Sequence, residues 1–303
     1  MAHLKRDVGR VDAPRVTEDQ ADRGRQRRPR RRRAAWAAVL LVGCSALLAA
    51  TPTVQAPFVD TTDSTVDVTA SSSYYRDAVL ADDPVGYWRL SDGGATAADV
   101  TGDHPGVYEN APQLGAAGRS ADGDTAVGLD GVDDSVRVDH QYGLIGRSPF
   151  SVEMLYRADG YSGAASRTLV QQYLFESPPG GESWKGWMTF TYQVGGEWKF
   201  FVGRCSGIEA DGLCDYANSA TTLQPGTCHL AATYDGTTMR VYVDGALDGQ
   251  FTSTRSLPAV TAPLRLGWDG SYYPTLEGTL DEVALFDVAL SAARIQAHAA
   301  RAG

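Results

Sequence analysis

The sequence predicts an all-β fold: a two-sheet antiparallel β-sandwich with one short C-terminal helix, preceded by an N-terminal apolar segment. Three observations carry this. Beyond residue 74 the apolar residues come in short runs, each closed by Gly, Asp, Pro or Asn. Several runs alternate apolar and polar residues, the two-residue period of a strand with one buried face. Only "SAARIQAHAA", residues 291–300, reads as a helix.

In chain order, residues 1–33 form a basic segment ending in "RRPRRRR". Alone, such a run would suggest a nucleic-acid tail. Here the apolar "AAWAAVLLVGCSALLAA", residues 34–50, comes directly after it. Positive charge ahead of an apolar run is the pattern of an export segment. Three fates stay open for residues 34–56: cleavage at Val54-Gln55-Ala56 or Leu48-Ala49-Ala50, retention of residues 34–54 as a membrane anchor, or lipidation at Cys44 in "LVGC". Each places the rest of the chain outside the cytoplasm, extracellular or at the cell surface, with membrane contact only through this segment. Residues 57–73, rich in Thr, Ser and Asp, read as a linker, and residues 74–303 as the sandwich.

Charge divides the same way. Residues 1–56 hold twelve of the 27 Lys and Arg and five of the 37 Asp and Glu, which leaves the remainder with 15 basic and 32 acidic groups, a net −17. So acidic a body excludes nucleic acid as a partner, because phosphate contacts need Lys and Arg.

The clearest strands are "VGYWRL" (85–90), "AVGLD" (126–130), "SVRVD" (135–139), "FSVEMLYRA" (150–158), "TLVQQYLF" (168–175), "WMTFTYQV" (187–194), "WKFFVGR" (198–204), "CHLAATYD" (228–235), "TMRVYVDG" (238–245), "LRLGW" (264–268) and "LDEVALFD" (280–287). Within "ATYDGTTMRVYVDG" the two Asp-Gly pairs supply the positive φ of tight hairpins. Ser291 is the expected N-cap of the terminal helix and Ile295 its docking residue. No fixed repeat appears, which argues against a propeller. In the oxidising exterior, Cys205 and Cys214 of "CSGIEADGLC" are expected to pair across a short loop, leaving Cys228 as a buried thiol. A zinc site at Cys228 and His229 lacks CxxC or HxxxH support.

The motifs "AVLADDPVGYWRL", "VGLDGVDDSVRV", "FSVEMLYR", "LQPGTCHLAATYDGTTMRVYVDGAL" and "LEGTLDEVALFDVALSAARI" resemble the laminin-G-like, concanavalin-A-like jelly-roll domains of bacterial secreted and surface proteins. The resemblance covers about residues 74–300. The chain departs from it at Leu155 and Cys228, where members of the family commonly carry Trp; both positions are expected in the core. Jelly-roll relatives often hold a structural calcium, and the resemblance makes Asp281 a ligand, with Glu282 expected to face the other way. Asp130 to Asp134, "DGVDD", form a second acidic cluster.

The same fold hosts glycoside hydrolases, whose retaining members need two carboxylates about 5 Å apart. The expected Glu-x-Asp-x-Glu is missing: Glu209-Ala210-Asp211 is followed by Leu213, and Glu153 stands alone in its strand. No His adjoins a Ser-Gly elbow. The expectation is therefore no enzyme but a non-catalytic module binding a carbohydrate or a cell-surface glycan or protein; adhesion without a sugar, or a spacer, is the alternative. Stacking on sugars needs exposed aromatic rings flanked by polar groups. Two clusters offer them: Trp184 and Trp187 in "ESWKGW", and Trp268, Asp269, Tyr272 and Tyr273 in "GWDGSYYP". Trp187 and Trp268 begin or end strands, which favours a place mostly in the core, whereas Trp184, Tyr272 and Tyr273 fall in loops.

Overall fold

Short alternating runs closed by turns give sixteen strands among the described residues of the computed structural model, which are 74–119, 123–158, 160, 165–176, 183–207, 214–268 and 275–303. The expectations for residues 1–73, and for Glu209, Asp211, Asp269, Tyr272 and Tyr273, lie outside them. The strands are β1 (Gly86–Trp88), β2 (Thr96–Ala97), β3 (Gly106–Glu109), β4 (Gln113–Ala117), β5 (Thr125–Asp130), β6 (Ser135–Val138), β7 (Phe150–Ala158), β8 (Ser166–Glu176), β9 (Ser183–Val194), β10 (Glu197–Ser206), β11 (Cys214–Asn218), β12 (Gly226–Tyr234), β13 (Thr238–Val243), β14 (Ala246–Thr252), β15 (Leu264–Leu266) and β16 (Glu277–Phe286). They form two antiparallel sheets. The first runs β14-β13-β12-β7-β16-β5-β4, with β1 also on β16; the second runs β11-β10-β9-β8-β15-β6-β3-β2.

Between the sheets lies the main core. β7 sends in Phe150, Val152, Met154 and Tyr156, β12 sends Leu230, Ala232 and Tyr234, and β10 sends Trp198, Phe200 and Val202. The hairpins around β13 arise from the Asp-Gly pairs. Asp244 and Gly245 take φ of 48° and 78°, both positive as a type I′ turn requires. Gly245 has a second reason to lack a side chain: a Cβ there would sit 2.7 Å from Ala299 Cβ. Asp235 closes the other turn by accepting the N–H groups of Thr237 at 2.9 Å and Thr238 at 2.8 Å.

The terminal helix is α2 (Ala292–Ala299), capped by Ser291 and docked through fully buried Ile295. The structure adds a helix that the sequence pattern did not announce, α1 (Tyr75–Leu80). Together the helices cover the outer face of the first sheet. Tyr75, Val79, Leu290 and Ile295 pack on Leu155, Ala231, Tyr242, Ala284 and Phe286. Both faces of β7 are therefore buried, and Leu155 fills its position under the helices.

Cys205 and Cys214 are register partners on β10 and β11 and are disulfide-bonded. Cys228 is free and half-buried, and burial pushes its thiol up to about 12. It packs toward the main core while its neighbour His229 turns to Glu153 on the opposite face, so the pair does not converge on a metal.

Candidate functional site

The outer face of the second sheet carries an aromatic surface. Along β10 the even residues are inside and the odd ones outside; the register gives their partners on β9 and β11. The outward set is Tyr173 and Phe175 of β8, Trp184, Met188, Phe190 and Tyr192 of β9, Phe201 of β10 and Tyr216 of β11. Phe190 and Phe201 stack at 5.0 Å between centroids, and Tyr216 meets Phe190 edge-on at 5.9 Å. Tyr216 lies flat because Gly203 is beneath it; a Cβ there would be 2.7 Å from the ring. Phe175, Trp184, Phe190, Tyr192 and Tyr216 are half-buried, each leaving ring surface at the exterior.

Of the sequence-predicted residues, Trp184 belongs to this face, packed beside Phe175 at 6.3 Å. Trp268 borders its other end, half-buried, with the Arg265 guanidinium 6.0 Å from its ring. Trp187 is elsewhere: it is 1% exposed, inside the sandwich against Phe150 at 5.1 Å, and cannot stack on a ligand. The strand period places it there, one position out of phase with Trp184 and Met188. Sequence reasoning missed Phe190, Tyr192, Phe201 and Tyr216. A signal was present, because "WMTFTYQV" and "WKFFVGR" carry aromatics on both parities and one sheet face cannot hold them all.

The metal candidate is built on β16. A β-bulge lies between Asp281 and Ala284, and Glu282 takes φ of 53° within it. The bulge breaks the alternation, so Glu282 does not face away, as expected from period two, but joins Asp281 and Asp124, with one oxygen of each within 4.8 Å of the others. Tyr87 and Arg89 donate to Glu282, and Arg89 also pairs with Asp124. Asp281 is 2% exposed; its Oδ2 accepts the Arg119 N–H at 3.3 Å and its Oδ1 has no partner. Burial, with the charge of Glu282 added, pushes Asp281 up to about 8. Burial pushes Glu282 up to about 7 against the pull of Tyr87 and Arg89. Gly118 closes the cradle, since a Cβ there would lie 3.0 Å from Asp281 Oδ2. Glu282 and Asp124 share the Arg89 guanidinium, while Asp281 beside them keeps one buried oxygen unpaired; together the three carboxylates offer the oxygen donors that a hard divalent cation takes. The other acidic cluster is internally satisfied: Asp130 accepts from Val132 N–H at 2.8 Å and Asp134 from Asp130 N–H at 3.1 Å.

Glu153 is not available for hydrolysis. It is fully buried on the outer face of the first sheet, between His298 Nδ1 at 2.8 Å and His229 Nε2 at 3.3 Å. His298 Nε2 lies 3.1 Å from Asp82, an ion-pair contact, and Arg294 bonds the same carboxylate at 2.6 Å. Burial opposes the charge on Glu153, but the two imidazoles outweigh it and hold the carboxyl at about 2. Burial likewise opposes the charge on His298, and Glu153 and Asp82 outweigh it in the other direction.

Two antiparallel sheets, a helix-covered face and an opposite aromatic face define a jelly-roll sandwich of the lectin-like class. The chain belongs to the concanavalin A-like lectin/glucanases superfamily, whose laminin-G-type model matches residues 130–296. Among solved structures, it is similar to the ligand-binding domain of botulinum neurotoxin serotype D in complex with N-acetylneuraminic acid, at 12% identity and TM-score 0.55, over 74% of this chain and 52% of that one. It therefore spans about half the length of that toxin domain. It is also similar to domain 4 of AbnA, an extracellular arabinanase of Geobacillus stearothermophilus, in complex with arabinotriose, at 16% identity and TM-score 0.51, over 71% of this chain and 98% of that one. No curated protein matches the chain.

Proposed function

We propose that this domain is a non-catalytic, extracellular or surface-displayed carbohydrate-binding module whose ligand lies on the outer face of the second sheet. The observation that carries the reading is the row of half-buried rings Phe175, Trp184, Phe190, Tyr192 and Tyr216 across neighbouring strands. The apolar faces of sugar rings stack on such surfaces, each contact adding about 0.5–1.5 kcal/mol beyond area burial. Two or three contacts, less the cost of ordering, give affinities of roughly micromolar to millimolar. The sugars in the complexes of the two similar structures support the same reading. The basic-then-apolar pattern of residues 27–50 supports an exported domain, and display of many copies outside the cell would add avidity. A structural calcium at Asp124, Asp281 and Glu282 belongs to this proposal as a brace between Asp124 and β16.

A glycan array probed with the purified protein tests it. Binding to at least one glycan, weakened about tenfold by Phe190→Ala and Tyr216→Ala, is the expected result. No glycan bound, with a cell-surface protein captured instead, would favour adhesion. Release of reducing sugar from the bound polysaccharide would make the protein an enzyme.

A further inference from the structure

We infer that this face accepts an uncharged sugar chain and that Gln171 is the side chain that selects it; the inference rests on the carbohydrate reading above. Gln171 is opposite Met188 on β9 and Arg265 on β15, so it sits mid-face, between the aromatic strands and the charged strands of the same sheet. It is 2% exposed, yet its Oε1 has no hydrogen-bond partner. The adjacent Gln172 shows the contrast. It points inward, and its amide is fully engaged: Oε1 accepts the Tyr142 N–H at 3.3 Å, while Nε2 donates to His140 O at 2.9 Å and Ala262 O at 3.2 Å. One glutamine holds the fold together; the other leaves a buried acceptor unpaired directly beneath the outer face. Ser166, on the same strand and face, is 7% exposed and its hydroxyl is also unpartnered. Buried polar groups are ordinarily paired because an unpaired one is destabilising, so two on one face call for a partner that the protein chain does not supply. The hydroxyl groups of a sugar both donate and accept, and meet both needs.

The charges decide what kind of sugar. Arg137 is held by Glu109 at 2.6 Å and by Asp139, and Arg265 by Glu109 at 2.7 Å. Lys199 pairs with Glu197 at 3.0 Å and Lys185 with Glu176 at 2.6 Å. Each of these four cations on or beside the face is thus neutralised by a carboxylate, and the body around them is strongly acidic. A carboxylated or sulfated sugar would meet repulsion; a neutral one would not. The aromatic surface crosses four strands, β8 to β11, which at a spacing of about 4.8 Å spans about 14 Å. That is wider than one pyranose ring and suits a chain.

Affinity electrophoresis of the full-length protein tests this, in gels cast with neutral polysaccharides (arabinan, β-glucan, xylan) or acidic ones (polygalacturonate, alginate), at low and high salt. The expected result is retardation in at least one neutral gel, unchanged by salt, with none in the acidic gels. Gln171→Met, similar in length and without the amide, should lose affinity roughly tenfold while melting at or above the wild-type temperature, because the unpaired acceptor is gone. Ser166→Ala, a smaller change, should lose a few-fold. Retardation confined to acidic gels, or erased by salt, would overturn the inference while leaving a carbohydrate ligand in place. So would wild-type affinity in both variants. No retardation in any gel, with the protein folded, would remove the carbohydrate reading itself.

Discussion

Asp281 holds an unpartnered oxygen in a nearly dry setting, beside a second buried carboxylate and a single guanidinium. Burial holds protons on this pair near neutral pH, and a bound cation would take their place. Calcium should therefore raise the melting temperature, by an amount equivalent to about 2.7 kcal/mol at a hundredfold excess over its Kd. Asp281→Asn should abolish that response and, in chelator, melt no lower than the wild type, since a neutral amide takes the place of a buried acid that burial already keeps protonated. Thermal melts with calcium and with chelator check both; equal curves for the wild type would exclude the ion. This site also marks a limit of reading by alternation. Asp281 was legible from its motif. Glu282 was not, because a bulge adds one residue to one strand and turns the next side chain to an unanticipated side. The same limit hid Gln171: two consecutive glutamines look equivalent in "TLVQQYLF", and only the register shows which faces the core.

At the scale of elements, runs of alternating residues fixed most long strands, whereas the short pieces escaped notice. β2, β3 and β4 are two to five residues long, too brief to show a period. α1 has six residues, and a helix so short is held by docking rather than by propensity. Its docking, with α2, surrounds the Glu153–His298 pair, which makes stability depend on pH. The folded-state pKa of His298 is raised, so its contribution is complete below its unfolded value and lost as pH rises through the raised one. Glu153 is depressed, so its contribution is present above the ordinary carboxylate range and lost only as pH falls toward about 2. The helices should thus be held best in mildly acidic solution and loosen on the alkaline side. His298→Ala should cost about 3 kcal/mol, by leaving a buried carboxylate half-paired, and should reduce the alkaline decline to the part that Asp281 and Glu282 contribute. Denaturant melts across the pH range, with the variant beside the wild type, measure this; an alkaline decline undiminished in the variant would assign it wholly to other groups. On the opposite sheet, the Cys205–Cys214 bond closes a nine-residue separation between paired strands. In the chain-entropy account such a loop contributes about 2–3 kcal/mol, so reduction should lower stability by that amount.

For the molecule as a whole, the ends of the chain have unequal consequences. The described residues from Tyr74 onward contain the core of both sheets, so a chain starting near Ser73 should give a β-type circular dichroism spectrum and a single melting transition. A spectrum dominated by helix would contradict the sandwich. The C-terminal end is different, because α2 lies over a sheet face that is apolar where most exposed faces are polar. Ending the chain at Asp287 removes Leu290 and Ile295 from Leu155, Ala231, Tyr242 and Phe286, and removes His298 from Glu153. Losing two buried aliphatic side chains costs about 3–6 kcal/mol, and stranding the Glu153 charge about 3–5 more. That sum is comparable with the whole net stability of a typical domain, about 5–15 kcal/mol. The truncated protein should therefore lose its cooperative melt and expose the first sheet to hydrophobic dyes, although each of its sixteen strands remains in the sequence. A sharp transition near the wild-type temperature would mean instead that the sandwich is complete without its helical cover, and that the buried Glu153–His298 contact contributes little to holding the fold.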